Sequence, residues 1–341
     1  AGWTDGSLII SMAILANEKV LTLDYWKYAH TLSEGDYVFN REGKLVRIKL
    51  IQKYRANDCY QVVFNDHLTV SGDKNLRFPL ENTKYRKRLN EYKGKRQFLR
   101  PLKDTKLEDL LTASLRNNNN RLAFSVPSAK PLELPTQTLP VPPFIFGFWF
   151  FNRRSTKKLA APRGKWEEVE RQFKEHGYKI TVGKKINTGE REFSVYPSIE
   201  SQLMPDIPWQ IPNNYLLGSN EQRLELLRGI LHAKHRQYSV KRDRFRFTSQ
   251  HQRIFNQVQF LVESLGHKTT CMFDETKEYY TISFKSRLKL LDEQVSPPLK
   301  VHNDRRYIKQ IEPMGEQLCV HIETEGADNS FLVGAGFISC L

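Results

Sequence analysis

The stretch "IPNNYLLGSNEQRLELLRGILHAKH", residues 211–235, decides how the rest of this chain is read. Its centre, "EQRLELLRGIL", has the spacing of a helix, and it ends on His232, Lys234 and His235. An earlier stretch, "FIFGFWFFNRR" at 144–154, is apolar and equally compatible with a helix. Each holds a glycine at the same place, Gly147 and Gly229, and the matching polar positions after them are Asn152 and Lys234.

Farther out from the two helices, their neighbouring segments also repeat. After the first comes "KWEEVERQFKEHGYKITVGK", which sets Trp166, Val169 and Phe173 on one helical face and then turns into a strand. After the second come a strand-like "YSVKRDRFRFTS", a helix "QRIFNQVQFLVESLG" stopped by Gly266, and a strand "EYYTISFKS". Two passes of the form α–β–β–α–β predict an internal pseudo-repeat. Proline-rich punctuation flanks it, "PSAKPLELPTQTLPVPP" at 127–143 and "VSPPL" at 295–299.

Outside those punctuation marks the chain is strand-like. "KVLTLDYWKYAHTLSEGDYVFNREGKLVRIKLIQKY" alternates apolar and polar residues with a hairpin turn at Arg41 to Lys44. "DCYQVVFNDHLTVSG" predicts another hairpin, Thr83 to Lys103 is a basic stretch, and 117–120 is an Asn loop. Residues 300–341 return to short strands and are too few to hold a core by themselves, so they are expected to complete the first module.

Bulk properties narrow the function classes. With 341 residues the chain is long enough for two domains. A net charge of +15 favours polyanions and salt-dependent affinity for phosphate backbones. No run of 18 apolar residues is present, so no membrane partner is expected, and "SLIISMAIL" is too short to span. Cys59, Cys271, Cys319 and Cys340 lack metal spacing and read as thiols of a reducing intracellular compartment, with no metal or cofactor site.

Taken in order, five stretches resemble a homing-endonuclease-containing intein. "NEKVLTLDYWKYAHTLSEGDYVFNREGKLV" is similar to intein openings, and "CYQVVFNDHLTVSGDKNLRF" sits where they carry a TxxH block. "FIFGFWFFNRR" and "IPNNYLLGSNEQRLELLRGILHAKH" resemble the two LAGLIDADG helices, and "IETEGADNSFLVGAGFISC" the closing blocks. The resemblance implies an all-β, horseshoe-like Hint splicing domain split by an α+β LAGLIDADG domain with pseudo-two-fold symmetry. The domains would be a flanking, extein-like 1–12, Hint parts 13–126 and 299–341, a linker 127–143, and an endonuclease-like 144–298.

Residue by residue, the family's chemistry is missing at each matched position. The splicing nucleophile falls on Ala13, which has no group to attack the preceding carbonyl; Ser11 is the alternative under a slipped alignment. Ser71, Gly72, Asp73 and Lys74 occupy the TxxH places, so Lys74 replaces the histidine. Asn329 stands where many relatives have His, and Cys340-Leu341 is not a terminal His-Asn. In the nuclease helices, Asn152 and Lys234 take the positions of the two metal-binding acids, so the Mg²⁺ of an active nuclease is not expected.

Gly147 and Gly229 match the small residues that let the helices approach, and Phe144, Phe146, Phe148, Trp149 and Phe151 are expected in a core. Arg242, Arg244 and Arg246 alternate with Lys241, Asp243, Phe245 and Phe247 along one strand, and read equally as DNA contacts of a LAGLIDADG saddle, which the resemblance implies, or as charges of a solvated edge strand. Lys184, Lys185 and Arg191 are their first-half counterparts, joined by Arg153, Arg154, Lys157 and Lys158. The expected partners are duplex DNA and a flanking host protein, and the chain is expected to be a monomer. Two rival readings stay open: a catalytically dead, maturase-like LAGLIDADG module that binds DNA or RNA, and a decayed structural insertion. Ala13 is equally compatible with a trapped precursor and with decay, while loss of the nuclease acids favours decay in that domain.

Overall fold

The computed structural model describes residues 12–82, 102–152, 158–185, 189–203, 209–234, 237–286, 288–291, 294 and 305–341. Contacts divide the chain into two compact units, Ala1–Leu132 with His302–Leu341, and Glu133–Val301. Most of the flanking segment 1–12 and of the basic stretch 83–103, together with Arg153, Arg154, Lys157 and His235, lies outside the described residues.

The first unit is antiparallel sheet. Its strands are β1 (Ala13–Leu15), β2 (Lys19–Thr22), β3 (Tyr25–Tyr28), β4 (Tyr37–Phe39), β5 (Leu45–Phe64), β6 (Thr69–Asp73), β7 (Arg77–Asn82), β8 (Lys103–Lys106) and β9 (Phe124–Pro127). A short helix α1 (Leu107–Leu111) lies between β8 and β9. The strands β17 (Arg305–Thr324), β18 (Phe331–Val333) and β19 (Ile338–Cys340) come from the far end of the sequence. Their order is β19-β18-β2-β4-β5-β6-β1-β17-β9-β7-β8, with β3 on β2 and a further pairing of β5 with β17. Strands from the two ends of the chain, β1 and β17, are therefore neighbours inside the sheet.

Alternation explains the burial. Along these strands Ile14, Val20, Val38, Val62, Val70, Ile308, Val320, Ile322 and Val333 enter one core, which β-branched residues fill well on a pleated surface. Ion pairs bind early segments to late ones, among them Asp66 with Arg306 at 3.0 Å, both almost wholly buried, and Arg41 with Asp328 at 2.6 Å. The turn at Arg41 to Lys44 uses Gly43 at φ 81°, where a side chain would be strained.

The second unit starts with helix α2 (Pro143–Asn152), β10 (Leu159–Ala161), helix α3 (Trp166–Glu175), β11 (Lys179–Lys185) and β12 (Arg191–Tyr196). After a short α4 (Asn213–Leu216) come α5 (Asn220–His232), β13 (Tyr238–Ser239), β14 (Arg244–Ser249), α6 (Gln252–Ser264), β15 (Thr269–Asp274) and β16 (Tyr279–Phe284). Its sheets run β10-β12-β11 and β13-β14-β16-β15. The repeat is thus helix, strand, helix, two strands in both passes, with β13 added to the second, rather than α–β–β–α–β.

Helix α5 begins with a reciprocal cap: Ser219 Oγ accepts from Gln222 N–H, and the Gln222 side chain accepts from Ser219 N–H. Helices α3 and α6 stop where Gly177 and Gly266 take positive φ. One predicted strand is broken. Within "YSVKRDRFRFTS", residues Val240–Arg242 form a 3₁₀ turn and Asp243 has φ 45°. Tyr238 donates its hydroxyl to Asp243 Oδ1 at 2.7 Å, and an Asp tolerates this left-handed corner.

Candidate functional site

In the first unit, β1 lies between β6 and β17, with Ile14 opposite Gly72 and Ala13 opposite His321. The Ala13 N–H donates to Asp73 Oδ1 at 3.1 Å. His321 Nδ1 lies 2.7 Å from Met12 O, so that nitrogen must carry the proton it donates to this carbonyl. The Met12–Ala13 peptide is thus held at both its nitrogen and its oxygen. A Cβ at Gly72 would collide with Ala13 O, so glycine permits this strand approach.

Asp73 also accepts from Tyr54 Oη at 2.9 Å, Asn75 N at 3.1 Å and Asn75 Nδ2 at 3.2 Å. Burial pushes its carboxyl above the ordinary carboxylate range in spite of those donors, and burial next to Asp73 pushes the Tyr54 hydroxyl up. A carboxyl that retains a proton more readily can return one to a leaving nitrogen, and a histidine on the carbonyl polarises it for attack. At position 13 itself, Ala13 presents only a methyl to this arrangement.

Sequence matching placed Lys74 at this point, but its ammonium pairs with Asp58 Oδ2 at 3.3 Å on an exposed edge. Asp73, the last residue of β6, makes the contact instead, and Lys74 begins the turn that follows. Ser71 is buried and its N–H donates to Glu18 Oε1 at 2.8 Å, while burial raises the Glu18 carboxyl. Asn329 sits at φ 54° and its Oδ1 accepts from Thr324 N at 2.6 Å, shaping a turn. Cys340 is opposite Phe331 inside the sheet, and burial pushes its thiol well up. His321 and Tyr54 were not identified from sequence: each is one of many polar residues on a long strand, with no motif around it.

In the second unit, α2 and α5 cross at their glycines. A Cβ at Gly147 would stand 2.6 Å from Leu226 O, and one at Gly229 would overlap Phe144 O. Phe144, Phe146, Phe148, Trp149 and Phe150 are buried around this crossing, while Phe151 is half-buried. Beyond it, Asn152 Nδ2 donates to Ala160 O at 2.7 Å and to Ala233 O at 3.0 Å, and its Oδ1 accepts from Ala160 N at 2.7 Å. A carboxylate there would face two carbonyl oxygens.

Lys234 donates to Thr248 O at 3.3 Å and lies over the rings of Phe151 and Phe247, 5.5 and 5.1 Å from their centroids. Burial lowers its pKa. Lys165, also buried and unmarked by any sequence motif, donates to Leu231 O at 2.7 Å and Lys234 O at 3.0 Å at the carboxyl end of α5. There the ammonium meets the negative end of the helix. His232 is buried against Phe144, and burial lowers its pKa to about 4. The donor set of one amide and two ammoniums does not fit a divalent cation, and among the described residues no cluster of acids, His and Cys could hold one.

The basic strand residues fall on different footings. Arg244 and Arg246 are exposed on one face of β14, opposite the buried Phe245 and Phe247. Ser283 and Thr281 of β16 extend that face, since they pair with Arg246 and Thr248. Arg242 is exposed but belongs to the preceding turn, so it is not in the alternating row. Arg191 lies over the Trp166 ring, 5.0 Å from its centroid, and Lys158 pairs with Glu192 at 3.8 Å. Lys184 and Lys185 close β11, and their side chains are outside the described set.

No family model matches the chain. A replicative DNA helicase DnaB of Mycobacterium intracellulare is 24% identical over 328 residues, 92% of this chain and 53% of that protein. The chain therefore spans about half the length of that curated relative. Among solved structures, the MchDnaB-1 intein is 21% identical, covering 20% of this chain and 54% of that one, at TM-score 0.20. The gp41-1 intein is 12% identical, covering 34% and 75%, at TM-score 0.23. A complex of the homing endonuclease I-DmoI with its target DNA is 12% identical, covering 43% and 87%, at TM-score 0.30. Inteins and a LAGLIDADG homing endonuclease are the families that the sequence resemblance names. No helix among the described residues is long and apolar enough to cross a membrane.

Proposed function

We propose that this chain is an intein-like element, a Hint splicing domain interrupted by a LAGLIDADG domain, that neither splices nor cuts and retains affinity for duplex DNA. The observation that carries the reading is the Met12–Ala13 peptide, gripped by Asp73 and His321 inside a sheet drawn from both ends of the chain. Splicing is silent because Ala13 cannot start an acyl shift. Nuclease chemistry is silent because Asn152 and Lys234 replace the paired carboxylates that would hold Mg²⁺. The partner of the first unit is a flanking host chain, with 1–12 as its candidate remnant.

Ala13→Cys tests the splicing half. Its thiolate would attack the Met12 carbonyl carbon, the C–N bond would break, and a protonated Asp73 would return a proton to the leaving nitrogen. Added dithiothreitol should then release residues 1–12 from the variant and not from the parent chain. Absence of any thiol-dependent cleavage in a folded Ala13→Cys protein would overturn the assignment of this peptide.

The DNA half is supported by the exposed Arg244 and Arg246 and by the net charge of +15. Binding to a mixed-sequence duplex should weaken steeply with salt. Mg²⁺-dependent nicking by the parent chain would sink the claim of nuclease silence. A folded chain with no duplex affinity at low salt would leave the structural insertion as the better reading.

A further inference from the structure

Cys59 of β5 and Cys319 of β17 bring their Sγ atoms to 3.5 Å. They lie 260 positions apart in sequence, yet β5 pairs with β6, β6 with β1, β1 with β17, and β17 with β5. The four strands close a ring, and both thiols are buried in one cluster with Ala13 and Leu15. Tyr54 and Ala56 pack against it. No motif marks the pair, and neither the silenced splicing chemistry nor the DNA-binding face uses it.

We propose that Cys59 and Cys319 are a modification site, a dithiol that a peroxide converts to a disulfide tying the two sequence-distant parts of the first unit together. A disulfide needs about 2.05 Å between sulfurs, so the pair has to close by roughly 1.5 Å. The hydrogen bond from the partner thiol lowers the pKa of Cys59, whereas that shared bond and burial raise that of Cys319. Cys59 is therefore the attacking sulfur.

The steps balance. The Cys59 thiolate attacks one peroxide oxygen, the O–O bond breaks, and hydroxide leaves with Cys59 as sulfenic acid. The Cys319 sulfur then attacks Cys59 sulfur, giving the disulfide and expelling the sulfenic oxygen, which departs as water with the thiol proton. Two thiols lose two electrons, hydrogen peroxide gains them, and two waters form. The new bond would lie beside the gripped peptide, because Cys319 pairs with Leu15 in β1 and with Tyr54, whose hydroxyl holds Asp73.

The test uses the whole chain, folded, with hydrogen peroxide as the probe. Titratable thiols should fall from the four of the sequence to two, and a non-reducing digest should contain a linked Cys59–Cys319 peptide. Dithiothreitol should reverse both. Closing so long a loop in the unfolded chain should raise the melting temperature of the first unit by on the order of 10 °C. If the chain is nicked by protease within 133–301, the two fragments should stay joined on a non-reducing denaturing gel and separate on reduction. Cys59→Ala, verified as folded by circular dichroism, should abolish the linkage. Retention of both thiols under conditions that oxidise the half-buried Cys271, or a linkage through Cys271 or Cys340 instead, would overturn the proposal.

Discussion

The two candidate sites of this chain hold their substituted residues in different ways. At the strand site, the Met12–Ala13 peptide is held at N–H and C=O, and the Ala13 methyl makes no hydrogen bond of its own. At the helix site, the replacement residues are built into the fold. Asn152 bridges two backbone segments, and Lys234 fills the space between Phe151 and Phe247. Loss of a reactive group alone leaves its surroundings unchanged; replacement by groups that acquire partners makes restoration costly. The contrast predicts that one substitution can revive a first step in the first unit, whereas acids put back in the second unit will destabilise it.

The strongest challenge to the helix side of that contrast is Gly229→Ala. A Cβ there overlaps the Phe144 carbonyl, which backbone movement alone can relieve. Overpacking at such a crossing should cost about 3 kcal/mol or more, read as loss of the second unit's unfolding transition in urea. A stable variant would show that the helices can separate without consequence.

Acid should discriminate the units next. His232 is buried, with its pKa lowered to about 4. A base whose folded pKa is depressed leaves the unfolded chain binding the extra proton between that value and its ordinary 6.5. Stability therefore falls as pH drops through that window, by about 3 kcal/mol in full. Asp73 has the opposite sign, since its raised pKa means the folded state takes up the proton first. Urea midpoints from pH 7 to 4 should decline for the second unit, and His232→Leu should flatten the slope.

Asn152→Asp sharpens the comparison directly. The carboxylate loses two donated hydrogen bonds and faces the carbonyls of Ala160 and Ala233, a cost of roughly 2 kcal/mol measurable as a lower urea midpoint. Equal stability with the parent would mean that the acid site had been kept open. Replacing Arg244 and Arg246 with alanine should weaken duplex binding by about 1 kcal/mol each and reduce its salt dependence, as fluorescence anisotropy would record. The smallest effect belongs to Lys74→Ala. An exposed pair with Asp58 should contribute under about 0.5 kcal/mol, and the substitution should leave thiol release in Ala13→Cys unchanged. A loss of release would return Lys74 to the site in place of Asp73.

Much of this was legible from residues in a row. Helix spacing, the matched Gly147 and Gly229, the strand-rich ends, the basic charge, and the absence of a nucleophile at 13 and of acids at 152 and 234 are all properties of local sequence. They arise from side-chain period and backbone sterics, which act over a few residues. Tertiary structure alone assigned the contacts. Asp73 meets Ala13 across 60 positions, and His321 meets Met12 across 309. Lys165 reaches the end of α5, and Cys59 faces Cys319, by the same long-range closure. Along "SGDKN" nothing distinguishes which of Asp73 and Lys74 reaches Ala13, because that depends on where β6 ends and on its register against β1 and β5. Register is set by burying one face of the whole sheet, and a shift of one residue exchanges inside for outside.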